Sequence, residues 1–380
     1  MPDRGSGGLR SEAGTQEASD HLEPSGSPPV SRRSGEPLRV ATRGSALALA
    51  QARIVADGLR AAWPGLEVTL VRVETEGDRR RDLATTQLGG KGVFTAAVQQ
   101  AVLDGRADLA VHSAKDLPAA QTPGLALAAV PEREDPCDVL VTGGSGGLKS
   151  EAATQVGGGH AEPSGSPPVT GGSGGLKAGL PDPLDKLPTG ARVGTGSPRR
   201  VALLSWLRPD LELLPLRGNV DTRVGKVLSG ELDAVVLASA GLRRLGLPAA
   251  AGRLDPEVFT PAPGQGCLAV EARADDRRVL DLLAVLTHEP SRTALAGERA
   301  FLARLGGSCT LPAGALVTVG AGGGLEARGF LAALDGKGLV REHLSGPPAD
   351  PATLGRGLAD RLLAVCGSEV RAVIEASRKG

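Results

Sequence analysis

Two stretches of the chain echo each other. RVATRGSALALAQARIVADGLRAA begins at Arg39, and RVGTGSPRRVALLSWL begins at Arg192. Each runs from a short β-branched segment through a Thr–Gly–Ser-containing turn into a helix-forming stretch. A second pair, LDGRADLAVHSAKD and LSGELDAVVLASAGL, follows in the same order. No other feature restricts the fold as much. Strands alternating with helices build parallel α/β layers, and a repeated alternation builds two of them. Ligands of open α/β sheets sit beyond the carboxyl ends of the strands, so two such lobes are expected to face each other across a cleft.

The local signals agree. LRVAT (38–42) reads as a strand and SALALAQARIVADGLRAA (45–62) as a helix capped by Ser45. GLEVTLVRV (65–73) and ADLAVHS (107–113) read as strands around the helix KGVFTAAVQQAVLDG, closed by Gly105. In the second half, ARVGT is a strand and SPRRVALLSWL a helix, with Ser197 as cap and Pro198 in its first turn. LELLPLRGN reads as a strand, VDTRVGKVLSG as a helix and LDAVVLASAGL as a strand. A third unit, 288–380, opens with the helix SRTALAGERAFLARLGG. The expected domains are a first lobe of 37–133 plus about 268–285, a second lobe of 134–267, and the C-terminal unit.

Two segments stand apart from this pattern. GSGGLRSEAGTQEASDHLEPSGSPPV (5–30) returns almost unchanged as 144–169, and GSGGLK recurs at 172–177. Such Gly/Ser/Pro-rich copies lack the aliphatic content to bury a core. Residues 1–36 are expected to be a disordered tail and 143–180 a flexible insertion in the second lobe. GSGG is not a phosphate loop, because no strand leads into it and no GK[ST] follows.

Lysine plus arginine balances aspartate plus glutamate at 43 each, so global charge points to neither nucleic acid nor membrane. Aromatics make up 2% with no tyrosine, which argues against stacking platforms for single strands. There is no 18-residue apolar run and no signal-like N-terminus, so a cytoplasmic protein is expected. Four scattered cysteines fit a reducing compartment and not a zinc site or a disulfide framework.

Charge placement carries more than charge total. Arg43, Arg199, Arg200, Arg217, Arg223, Arg243 and Arg244 all follow strand ends. Arg199 and Arg200 occupy a helix first turn, where the dipole disfavours cations by a few tenths to about 1 kcal/mol each. Each could be solvated or ion-paired. Together they suit a ligand with several carboxylates or phosphates. Asp116, in VHSAKDLP, is either a turn carboxylate before proline or an acid kept ionised beside Lys115, able to stabilise a cation or move a proton. Cys309, in RLGGSCTLPAG, is either a small buried residue or a thiol presented because something is bonded to it.

These stretches identify a resemblance. ATRGSALALAQ, GGKGVF, ADLAVHSAKDLP, EREDP, GTGSPRR, LRGNVDTR, ASAGLRRLG, PAPGQGCLAVE and ERAFLARLGGSC together resemble the hydroxymethylbilane synthase, or porphobilinogen deaminase, family. The likeness covers about 37–142 and 184 to the C-terminus. It implies two periplasmic-binding-protein-like α/β lobes facing a cleft, plus a smaller C-terminal α/β domain. The implied enzyme is a transferase that condenses four porphobilinogen molecules with loss of ammonia, acting as a monomer with no nucleic-acid or membrane partner.

By the same resemblance, Cys309 carries a dipyrromethane cofactor covalently and Asp116 is catalytic. Lys115, Ser113, Thr195, Ser197, Arg199, Arg200, Arg217 and Gly218 fall on cofactor-binding positions. Arg43, Ser45, Lys91, Arg223, Arg244 and Gln265 fall on substrate-binding ones, with Lys91 on an active-site loop. Cys267 and Cys366 are expected to be packed. The chain departs from the family at Cys137, where arginine is usual, at Gly196 followed by Pro198, and at Gln87, where a basic residue is common. The rival readings are a solute-binding module or a non-catalytic homologue holding an acidic ligand. The solute-binding module would need neither Cys309 nor Asp116, and the departures above support the non-catalytic homologue.

Overall fold

In the computed structural model, the described residues are 36–74, 95–143, 183–247, 251–307, 311–320, 322–347 and 349–379. The expected tail up to residue 35, the insertion from 144 onward, Gln87, Lys91 and Cys309 lie outside them. Every element below belongs to the unit Pro37–Gly380.

The first lobe starts with β1 (Leu38–Arg43), α1 (Ala46–Ala62), β2 (Val68–Val73), α2 (Ala96–Leu103), β3 (Leu109–Ser113) and β4 (Leu125–Ala129). The Ser45 hydroxyl accepts from the Ala48 amide and caps α1, as its position in the sequence predicts. The expected strand at 65–73 begins only at Val68. Apolar residues on both sides of the strands explain why they sit between layers. Val40 and Leu109 pack with Ala52, Val55 and Leu59 of α1, while Ala41 and Ala110 pack with Val98, Ala101 and Val102 of α2.

The chain then crosses to the second lobe. Its elements are β5 (Asp138–Thr142), β6 (Arg192–Thr195), α3 (Pro198–Leu207), β7 (Glu212–Pro215), α4 (Val220–Leu228), β8 (Ala234–Ala238), α5 (Ser239–Arg244) and β9 (Ala251–Arg253). Ser197 caps α3 with Pro198 at its start, as expected. Two expectations need correcting. LDAVVLASAGL is not one strand: it ends at Ala238, and Ser239–Arg244 is helical. An apolar run cannot be told from a buried helix by periodicity alone. LELLPLRGN is a strand only to Pro215, on the edge of the sheet, where proline brings no amide donor, and the Leu216 amide makes the last bond to the Thr195 carbonyl.

The chain returns as β10 (Leu268–Arg273) and α6 (Arg277–Ala284), then enters α7 (Glu289–Leu305), β11 (Ala313–Val319), β12 (Leu325–Leu331), β13 (Val340–Gly346), α8 (Pro351–Val365) and α9 (Ser368–Lys379). The first sheet runs β2-β1-β3-β10-β4 and the second β7-β6-β8-β5-β9. In both, three parallel strands are followed by one antiparallel strand and then by an edge strand that again runs with the first three. The sequence echo is therefore a structural one. β10 and β5 hold the same place in their sheets, and the segments 130–137 and 254–267 connect the lobes.

The C-terminal part is a three-stranded antiparallel sheet covered by helices. Phe301 and Leu305 of α7 and Leu358 and Leu362 of α8 bury against Ala315 and Val317. Each such side chain contributes roughly 1.5–3 kcal/mol by leaving water. Cys366 is buried in this core, where its thiol faces the Leu363 carbonyl.

Candidate active site

Asp116 ends a short 3-10 turn, Ala114–Asp116, that follows β3 directly. Its position is fixed from behind: the Ala114 amide donates to the Cys267 carbonyl at 3.0 Å, and Leu117 closes the turn onto Ala114. The Asp116 side chain is exposed and lines a pocket with Arg43, Ser45, Gln51, Thr95, His112 and Ser113. A second pocket shares Leu47, Gln51 and Ser113 with the first and continues to Lys115, Arg200, Arg223, Arg244 and Cys267. One continuous cleft thus takes residues from both lobes.

The cations in it are crowded. Burial, then repulsion from Arg200, pushes the Lys115 ammonium down to about 8. Burial and the same Arg200 push Arg223 down to about 10, with Arg217 adding to the repulsion. Burial also lowers Arg244, whose guanidinium donates to the Gly266 carbonyl at 2.6 Å. Arg223 donates to the carbonyl of Gly218, a glycine at φ +104°. A cleft that holds several cations at such a cost is arranged for an anion with several charges.

Beneath this surface lies a residue that sequence reasoning missed. Asp138, fully buried at the start of β5, accepts from Arg199 at 2.6 Å, from Arg200 at 2.7 and 3.1 Å, and from Gln265 at 3.0 Å. Burial alone would raise its carboxyl, but Arg199 and Arg200 prevail and hold it below the usual range. Arg199 also donates to the Thr260 carbonyl at 2.8 Å and is 3% exposed. Of the expected ligand-binding pair, Arg199 is therefore engaged as a buried counterion and lines neither pocket, whereas Arg200 also faces the cleft. An acid heading the apolar run DVLVT was the available signal for Asp138.

Gln265 joins the two lobes. Its side-chain oxygen accepts from Lys115 at 3.2 Å, and its amide donates to Asp138 and to the Pro136 carbonyl. Arg133 donates to the Gln265 carbonyl and, at 2.6 Å, to Glu298 of α7, which also accepts from the Gly264 and Val317 amides. Helix α7 of the C-terminal part is thereby tied to the crossing segments. These segments also touch each other: a Cβ at Gly266, φ +88°, would lie 2.2 Å from the Glu134 carbonyl, so only glycine fits.

The remaining expected residues lie around this centre. Ser113 exchanges hydrogen bonds with Gln51 at 2.9 and 3.2 Å. Thr195 is buried and its hydroxyl accepts from the Ser197 amide. Arg217 is exposed beside Gly218. At Gly196 a Cβ would stand 2.6 Å from the Leu216 carbonyl, so the backbone here is shaped around its absence. Cys137 and Cys267 are buried, and burial pushes both thiols up to about 12. Among the described residues no cluster of His, Cys, Asp and Glu could hold a metal ion.

Behind Asp116 lies a second buried polar group that the sequence did not single out. His112 of β3 has its Nε2 3.2 Å from Glu271 Oε2 on β10, a close electrostatic contact without hydrogen-bond alignment. Gln99 of α2 donates to the same Glu271 oxygen at 2.8 Å. All three side chains are buried, and His112 alone of them lines the pocket.

Comparison with known proteins is consistent along the chain. The model for "Porphobilinogen deaminase, dipyromethane cofactor binding domain" matches residues 38–159 and 178–281, and that for "Porphobilinogen deaminase, C-terminal domain" matches 293–364. The porphobilinogen deaminase of Roseiflexus sp. (strain RS-1) is 46% identical over 86% of this chain and 95% of its own length. That of Roseiflexus castenholzii is 45% identical over 88% of this chain and 98% of its own. Among solved structures, a nutrient binding protein from Burkholderia cenocepacia is 14% identical, with a TM-score of 0.35 over 65% of this chain and 89% of that one.

Proposed function

Because the chain belongs to the porphobilinogen deaminase family, we propose that its cleft condenses four porphobilinogen molecules in succession, each with loss of ammonia, to give hydroxymethylbilane. The observation that carries this reading is the presence of Lys115, Arg200, Arg223 and Arg244 in one cleft with the exposed carboxylate Asp116. Each porphobilinogen unit bears an acetate and a propionate, so the growing chain accumulates anions that these cations offset.

The family's dipyrromethane cofactor fits the same donor set. Lys115, Arg223 and Arg244, partly buried, crowd around the buried Arg200, as a group with four carboxylates requires. When bound, it supplies the pyrrole α-carbon to which the first substrate unit is joined. Cys309 is the proposed attachment point. Ser113 lines the same pocket as Lys115, the Ser197 hydroxyl accepts from the Arg200 amide and the Gly218 carbonyl accepts from Arg223, while Arg43 and Ser45 with Asp116 line the pocket proposed for the incoming substrate.

Asp116 has a clear electrostatic task. Departure of ammonia leaves positive charge on the substrate pyrrole, and a fixed carboxylate stabilises that charge in every round without being consumed. The amide of Gln265 and the buried Asp138 hold Lys115 and Arg200 in place while units are added. Both lobes of the cleft come from one chain, which supports a monomer, and no helix among the described residues is long and apolar enough to cross a membrane. The proposed location is the cytoplasm.

The test is the intact mass of purified protein together with its turnover of porphobilinogen. Expected are an increment of two linked pyrrole rings, mapped to the Cys309 peptide, and release of a linear tetrapyrrole. Active protein with an unmodified Cys309 would overturn the attachment, and loaded protein without turnover would overturn the activity.

A further inference from the structure

The pair His112–Glu271 asks for an explanation that packing does not give. Burying a carboxylate and an imidazole inside an apolar sheet layer is costly unless the groups compensate one another. Here compensation is partial. Glu271 is 4% exposed and held by Gln99 at 2.8 Å, while the His112 Nε2 stands 3.2 Å away without an aligned hydrogen bond. A carboxylate behind an imidazole orients the ring and stabilises it once it takes up a proton. Only the imidazole reaches the pocket, where Asp116, Arg43 and Thr95 also stand.

We propose that His112 is a second catalytic residue, the carrier of the proton that each condensation must move. This rests on the synthase reading above. The chemistry leaves one proton to be transported. The protonated amino group departs as ammonia when its bond to the methylene carbon breaks, with the electron pair going to nitrogen and the methylene staying on the pyrrole ring. The resulting cation is attacked by the free α-carbon of the terminal pyrrole, and a C–C bond forms. That carbon then carries both the new bond and its original hydrogen, which must leave as a proton to restore the aromatic ring. His112 accepts this proton and passes it to the departing ammonia. One aminomethyl cation and one pyrrole C–H thereby give one methylene bridge and one ammonium ion, and His112 returns to its starting state for the next round.

Asp116 is less suited to both tasks, since a carboxylate neutralised by the proton would no longer stabilise the cation. The charged groups facing His112 are Glu271 from β10, Asp116 from the turn after β3 and Arg43 from β1. Gln99 on α2 is neutral, and Arg299 of α7 acts on Glu271 electrostatically.

The experiment uses the loaded full-length protein, as wild type, His112→Gln and Glu271→Gln, with porphobilinogen carrying deuterium at its free α-position. For His112→Gln, kcat is expected to fall roughly 100-fold with KM nearly unchanged, within the ordinary worth of a general base. A primary deuterium isotope effect should emerge in the variant because proton loss has become slow. Glu271→Gln leaves the imidazole in place and should give a smaller loss with the same isotope signature. It also serves if His112→Gln fails to fold. A readout independent of turnover comes from ring-15N histidine spectra: the resonance missing from His112→Gln should move when porphobilinogen is added to wild type. Slow variants without an isotope effect, an unchanged kcat, or an unmoved resonance would overturn the proposal. Inactive wild type would instead overturn the synthase reading on which it stands.

Discussion

Lys115 donates its ammonium to the side-chain oxygen of Gln265 at 3.2 Å, and that neutral amide is the hydrogen-bond partner the structure gives it. An amide orients the cation without neutralising it, so the charge stays available to an acidic ligand. It also leaves burial and Arg200 free to push the ammonium down to about 8. The sign of the pH dependence follows. An unfolded lysine keeps its proton until about 10.5, so between about 8 and 10.5 the unfolded chain binds more protons and folding stability rises with pH. Affinity moves the other way, because above about 8 the cleft loses a cation. The expected result is a fall in kcat/KM for porphobilinogen above about pH 8, and its disappearance in Lys115→Arg, which stays charged.

Asp138 serves two arginines at once, and removing it should be costly. Asp138→Ala leaves Arg199 and Arg200 buried without a counterion and is expected to destabilise the fold by about 3–5 kcal/mol in urea titrations. Arg243→Ala, which breaks an exposed pair with Glu134, should change stability by less than about 1 kcal/mol. Equal effects would contradict this assignment of roles.

Asp116→Asn keeps the shape of the turn and removes the charge. Turnover should fall by about two orders of magnitude or more while substrate-loaded complexes still form, as seen by native mass spectrometry. Near-normal turnover would move the electrostatic task to another group.

Deleting residues 144–177 should leave activity and thermal stability nearly unchanged. The flanks of this segment lie close together in the second sheet. β5 pairs Leu140 with Gly252 of β9, and Gly252 packs directly on Pro183. Residues 178–182 would remain as a bridge with a reach of roughly 3.3 Å per residue. Loop closure depends only logarithmically on length, about 0.6 kcal/mol per doubling, so little is gained or lost. A melting temperature and kcat measured on the deletion check this.

What could be read from the sequence was local or repeated. Ser45 and Ser197 announce their helices, and the recurrence of RVATRGS in RVGTGS announces two sheets of one plan. The strand-to-helix change at Ser239 was hidden because Ala, Ser and Leu in a buried run fit either state. Arg199 could not be placed because its partner Asp138 is 61 positions away, and a charge at a helix start looks the same whether it faces a ligand or a buried acid. His112 and Glu271 were beyond reach for the same reason: they meet only through the antiparallel pairing of β3 with β10.

That pairing has a bearing on biosynthesis. The second sheet is contiguous in the chain, ending at β9, whereas the first waits for β10 to fill the gap between β3 and β4. A chain emerging from the ribosome can therefore complete its second lobe while the first still has an unpaired edge at β3, the kind of edge that invites wrong partners. Chains truncated after residue 260 and released should keep residues 38–129 open to protease, and chains extended past residue 290 should not. The strand that places Glu271 behind His112 is thus also the one that closes the N-terminal lobe during translation.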